Sequence, residues 1–156
     1  MAVCAECGAG QVPYSCDELF ERLLALDHSR QPPWGPLHGA AVACFFLQHP
    51  GHPLGPRGRN DFGWACLLAY RSGGQAALHA VTDLARRRNS HRHAGSELFD
   101  VTAPEFASST SFAVTITDVA VDGSFPADGY EKRLLAWADA TYLAWTGTST
   151  PPPTGT

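Results

Sequence analysis

The sequence predicts a mainly α fold: a compact helical domain opened by a cysteine-rich knuckle and containing at most a short β element. Three observations predict it. Apolar residues recur at helical spacing in several separate stretches. Ser, Asp and Pro residues stand where helices begin, and Gly or His-Pro sequences where they end. Cys4-Ala5-Glu6-Cys7-Gly8, with Cys16 beyond it, marks a tight turn ahead of the first helix.

The first helix is predicted to open at Ser15-Cys16-Asp17-Glu18, with Ser15 as cap and Glu18 closing a capping box. Leu19, Phe20, Leu23, Leu24 and Leu26 form its apolar face, Glu21 and Arg22 its wet side, and it ends near Asp27-His28-Ser29. The second helix is expected from Pro36, which suits a first turn, through His38 to Gln48, stopping at His49-Pro50-Gly51. It is apolar almost all round, the mark of a central helix. Gly51 to Asn60 is rich in Pro and Gly and predicts a loop. A third helix is expected over Asp61–Tyr70. Ser72-Gly73-Gly74 separates it from a fourth over Gln75–Arg87, with Ala77, Leu78, Val81 and Leu84 inward. Asn89 to Pro104 shows no period. Phe112 to Val119 alternates and predicts a short strand. A last helix is expected from Asp128, capped by Asp128 and Glu131, with Tyr130, Leu134, Trp137, Ala138, Thr141 and Trp145 on one face. Residues 1–146 thus form one domain, and the Thr/Pro/Gly-rich tail 147–156 is expected to be disordered.

An apolar fraction of 44% is enough to build a core at this chain length. A net charge of −4 argues against a binder of nucleic-acid phosphates. No apolar run reaches the roughly 18–20 residues that span a bilayer, and no basic-then-apolar leader opens the chain. A single lysine, Lys132, amid abundant Ala, Gly and Pro is the coding bias of a GC-rich bacterial genome. Five cysteines is an odd number, with Cys44 and Cys66 inside apolar segments as small hydrophobes. This pattern predicts a reducing, cytoplasmic setting.

Structural zinc sites take four Cys or His ligands, and Cys4, Cys7 and Cys16 supply three thiolates. The fourth candidates are His38 and His49. Eleven residues separate them, which returns both to one helix face but rises roughly 16 Å, so one straight helix cannot offer both to one ion. His38 is preferred as the ligand because it opens its helix, where a knuckle can dock. His49 is then a helix cap or pocket residue. Three Cys and one His make a closed site that stabilises a fold. If one ligand were missing, the open position would allow Lewis-acid chemistry.

The chain resembles an uncharacterised bacterial family of small Cys/His proteins of unknown function. Its members begin with a CPxCG-like knuckle and a further Cys opening a helix. The matching residues are Cys4 to Gly8, Cys16, Trp34 with His38, and Gln48-His49-Pro50. They continue with Thr115-Ile116-Thr117-Asp118-Val119, and with Trp137-Ala138 and Ala144-Trp145. The resemblance covers most of the chain and implies a mostly helical zinc protein. Members often carry a His in the third helix and another in the last. This chain has none from Asp61 to Ser72, and Tyr130 stands where the second would be.

Arg86-Arg87-Arg88 and His91-Arg92-His93 form the one basic cluster, read as the solvated end of a helix. The four tryptophans with Tyr130 and Tyr142 are read mainly as core, or as the lining of an apolar pocket. No phosphate loop, nucleophile elbow, His-Glu-x-x-His or dinucleotide fingerprint is present. The functional expectation is a small zinc-binding helical protein with an apolar small-molecule pocket. The alternative is an enzyme of bacterial specialised metabolism, a cyclase, lyase or hydrolase, with His49, His79 or Asp118 doing acid–base work.

Overall fold

A computed structural model of the chain describes residues 3–55, 60–90 (the last three by backbone alone), 101–105 and 111–147. Among these the chain is helical, with only two isolated β-bridges, Val3 with Gly10 and Val121 with Ser124. The His91-Arg92-His93 cluster and residues 148–156 lie outside the described residues.

Helix α1 (Cys16–His28) starts as its sequence predicts, the Glu18 N–H donating to Ser15 Oγ at 3.1 Å. It buries Leu19, Phe20 and Leu23, and also Asp27, which composition alone would place in water. Helix α2 (His38–Gln48) begins two residues after Pro36, because the chain first winds through tight turns from Gln31 to Leu37. It is the central element, packed against α1, α3 and α5. Seven of its residues are buried, including Phe45, Leu47 and Gln48.

Helix α3 (Asp61–Ser90) is two helical segments joined at Gly74, which takes φ 67° and ψ −153°. A residue with a Cβ is strained there, so the predicted interruption falls on the residue able to make it. Within the second segment Leu78 is fully buried, while Leu84, expected inward, is exposed. At Gly39 a Cβ would lie 3.1 Å from the Thr82 methyl and 3.3 Å from Leu78 Cδ1, so the glycine sets how closely α2 approaches α3.

The alternation over Phe112 to Val119 does not become a strand. Asp118 accepts the Thr115 backbone N–H at 2.9 Å and turns the chain into the single-turn helix α4 (Ile116–Val119). The alternating apolar residues Phe112, Ile116 and Val119 are buried against helices instead. Helix α5 (Tyr130–Thr146) is not capped by Asp128. Gly129, at φ 75°, is its N-cap. Arg133 reaches back to donate to the carbonyls of Val119 (2.8 Å), Pro126 (2.9 Å) and Asp128 (2.9 Å). One guanidinium thereby ties the α4–α5 connection to the helix it feeds.

Cross-helix hydrogen bonds fix the C-terminal end of α2, where helix carbonyls lack intrahelical partners. Trp145 Nε1 donates to Leu47 O at 2.9 Å. Gln48 Nε2 donates to Val114 O at 2.8 Å and to Thr141 Oγ1 at 3.0 Å. These bonds hold the residue that follows, His49, in one place.

Candidate metal centre

The knuckle is folded by its own backbone. Cys4 N–H donates to Ala9 O at 2.7 Å and Gly8 N–H to Cys4 O at 2.9 Å. Gly8 sits at φ 83°, where a side chain would be strained, and this bend returns the chain so that Cys4 and Cys7 share one side. Cys16 is the first residue of α1, and its Sγ lies 3.6 Å from that of Cys7. Two sulfurs bound to one tetrahedral ion at about 2.3 Å would lie about 3.8 Å apart.

His49 follows α2 directly and is 3% exposed. Its Nδ1–H donates to Phe45 O at 2.7 Å, which assigns the lone pair to Nε2. That Nε2 is buried with no hydrogen-bond partner among the described residues. With Nδ1 committed to Phe45, Nε2 is the nitrogen of the neutral ring that can ligate an ion. One donor atom from each of Cys4, Cys7, Cys16 and His49 falls within 4.8 Å of the other three, and this group can hold a metal ion.

Several contacts orient the four. The Phe45 ring stacks on His49 with centroids 4.2 Å apart, and Phe20 stacks on Phe45 at 3.8 Å. Gln11 accepts the Cys16 N–H at 3.1 Å and donates from Nε2 to Cys16 Sγ at 3.3 Å. Two braces cross from the cysteine side to the His49 segment. Glu6 Oε1 accepts the Gly51 N–H at 2.6 Å, and His52 Nε2 meets Asp17 Oδ1 at 2.8 Å. Glu6→Ala is expected to weaken metal affinity roughly tenfold, as loss of such supporting partners does, with little change in helix content. Competition with a chromophoric chelator measures it. Unchanged affinity would mean that the knuckle holds its position without the brace.

Without an ion the sulfurs share protons unequally. The hydrogen bond from Cys7 lowers Cys16 to about 4, with further help from His49 and Gln11 against the cost of burial. Cys7 is raised by that same bond and by burial. Burial pulls His49 down, but Cys16 and the Phe45 carbonyl outweigh it and raise the imidazole to about 9. Cys16 and His49 thereby favour a thiolate–imidazolium pair.

His38, expected as the fourth ligand, lies elsewhere. Its Nδ1 is 2.7 Å from Asp27 Oδ2. The reason is the antiparallel course of α1 and α2. Cys16 and Asp27 are eleven residues apart on α1, and His38 and His49 are eleven apart on α2. The two helices therefore meet twice on one face, Cys16 with His49 at one end and Asp27 with His38 at the other, roughly 16 Å away.

The residues expected to do acid–base work are each engaged separately. His49 belongs to the sulfur cluster, His79 Nε2 donates to Pro36 O at 2.8 Å, and Asp118 caps α4 through Thr115. Cys44 and Cys66 are buried in the core, and burial raises both thiols, Cys66 to about 12. Trp64 stacks on Tyr142 with ring centroids 5.6 Å apart and meets Trp145 at a tilt of 37°, between α3 and α5. Sequence reasoning missed Gln11, Glu6 and Phe45. Only Phe45 carried a signal, standing one turn before His49 on the same face.

The chain matches, over residues 2–146, a family of unknown function designated DUF5946, and belongs to it. No curated protein and no solved structure matches it.

Proposed function

We propose, for this member of a family of unknown function, that Cys4, Cys7, Cys16 and His49 hold a structural zinc ion, and that the helical body so stapled binds a small apolar molecule. The observation that carries the first half is the buried, unmatched Nε2 of His49 facing three clustered thiols. Soft sulfur donors with one imidazole suit Zn²⁺ better than Mg²⁺ or Ca²⁺, which prefer oxygen. Four protein ligands leave no position for water, which favours a structural ion over a Lewis acid. When bound, the ion would join three segments that share little other covalent constraint: the knuckle, the start of α1 and the end of α2. Thiolate ligands also favour a reducing, cytoplasmic setting.

The second half rests on a cleft of about 250 Å³ between α2 and the first segment of α3. Val42, Ala43, Phe46, Leu47, Phe62 and Gly63 make its wall, which is almost wholly apolar. A binding protein is preferred to an enzyme acting through His49, His79 and Asp118, since each of those side chains already has a structural partner. No helix among the described residues is long and apolar enough to cross a membrane.

Purified protein is expected to carry one zinc per chain. Chelation under reducing conditions should lower the melting temperature, and re-addition of zinc should restore it. Affinity should fall as pH drops from about 8 to about 5, because the ion must displace the protons that Cys7 and His49 hold, and that displacement grows harder as protons become more abundant. Zinc content and thermal scans across that range check both. Protein free of zinc whose melting temperature ignores added metal would overturn the proposal.

A further inference from the structure

The second junction of α1 with α2, Asp27 with His38, has no part in the metal centre. Asp27 is 5% exposed. Its Oδ1 has no hydrogen-bond partner among the described residues, so His38 is the described side chain that hydrogen-bonds it, with His28 adding a weaker electrostatic pull. Burial pushes the Asp27 carboxyl up and the His38 ring pulls it back, which ties the carboxylate's ionised form to the imidazole. With Nδ1–H donated to Asp27, His38 keeps its other nitrogen, Nε2, as an acceptor. A carboxylate behind an imidazole fixes its tautomer and orients the far nitrogen as the acceptor.

His38 also lines the mouth of the apolar cleft, beside Gly39, Thr82 and Asn60. About half of its side chain remains open to a ligand, whereas the Asp27 side chain is sealed beneath it. An apolar pocket with one oriented polar group selects both size and chemistry. Taking the cleft as a ligand site, as above, we propose that it binds a small aromatic or otherwise apolar molecule bearing a single acidic hydroxyl. His38 Nε2 accepts that hydroxyl's proton and Asp27 holds the resulting imidazolium. The balance is simple: the O–H bond breaks, an N–H bond forms at Nε2, the anion stays on the ligand oxygen, and no redox partner is needed.

Two probes separate the parts of this reading. Naphthalene tests whether the cleft takes an apolar ring, and 2-naphthol adds one hydroxyl that becomes strongly acidic on excitation. Both are expected to bind the zinc-loaded protein, with 2-naphthol roughly tenfold tighter, the worth of one good hydrogen bond. Bound 2-naphthol, excited where tryptophan does not absorb, should emit as naphtholate. In His38→Phe the affinity advantage and the naphtholate emission should both disappear while naphthalene binding persists. Asp27→Asn, which keeps the shape and removes the charge, should reduce the emission and leave naphthalene binding intact. Val42→Trp should block both probes.

The outcomes are distinguishable. If naphthalene and 2-naphthol both fail to bind folded protein, the ligand cleft itself is refuted. If both bind equally and His38→Phe changes neither affinity nor emission, the cleft stands and the role of His38 is overturned. Should His38→Phe fail to fold, Asp27→Asn decides the same question.

Discussion

Replacing His49 by alanine is expected to cost the protein its metal ion, while replacing His38 leaves metal content unchanged. His49 supplies the only nitrogen among four converging donors, and its Nε2 has no hydrogen-bond partner among the described residues. His38 is bound to Asp27 at the opposite end of the helix pair. An ion that binds the folded chain and not the unfolded one lends its binding free energy to folding. Losing one of four ligands should therefore remove about 3–5 kcal/mol, a melting shift of roughly 6–20 °C at this chain length. His38→Ala should be destabilising for a different reason, because it leaves the Asp27 charge buried without its partner. Metal analysis separates the two: His49→Ala protein without zinc and His38→Ala protein with one equivalent is the expected result. The reverse would return the fourth ligand to His38.

Phe45→Ala should be the most damaging single change in the core. Phe45 is fully buried, stacks on Phe20 at 3.8 Å with an interplanar angle of 6°, and covers His49 at 4.2 Å. Truncating a buried aromatic of this kind costs about 3–5 kcal/mol through lost transfer energy and the cavity left behind. Two readouts should move together here. Denaturant unfolding should shift to a lower midpoint, and zinc affinity should fall as the His49 ring loses the surface against which it is held. Phe45→Leu should restore most of the stability and little of the affinity, since volume is replaced but the flat stacking surface is not. Equal recovery of both would mean that the ring matters as bulk alone.

Much of this architecture was legible in the chain because local chemistry and tertiary structure agree. Ser15 with Glu18, the helical period through Phe20 and Leu23, and the double glycine at Gly73-Gly74 each point to the element that forms. The three cysteines were legible because a turn fixes their spacing. The fourth member of the cluster was not, since His38 and His49 share a helix face and differ only in which end of α2 the knuckle reaches. That choice is set by chain reversal. The connection between His28 and His38 reverses the chain, and the residue that opens α1 meets the residue that follows α2. The strand expected at Phe112–Val119 failed for a related reason. Alternation reports one buried face, and packing against helices supplied that burial once Asp118 had turned the chain. Asp27 was invisible as a buried residue because nothing local reveals an imidazole eleven positions away.

The same helix pair thus carries two polar junctions with opposite characters. At one end, sulfur and imidazole are closed over by Phe45 and braced by Glu6 and Asp17. At the other, Asp27 is sealed and His38 is open to the apolar cleft. An ion at the first end would keep α1 and α2 in register, the register that places His38 over Asp27. Loss of the metal should therefore reach the distant cleft by loosening the helix pair.

X-ray absorption at the zinc edge of the loaded protein tests the central claim most directly. Three sulfur scatterers at about 2.3 Å and one imidazole nitrogen at about 2.0–2.1 Å are expected, with the nitrogen shell missing from His49→Ala and retained in His38→Ala. A first shell dominated by oxygen, or a nitrogen shell that survives loss of His49, would contradict it.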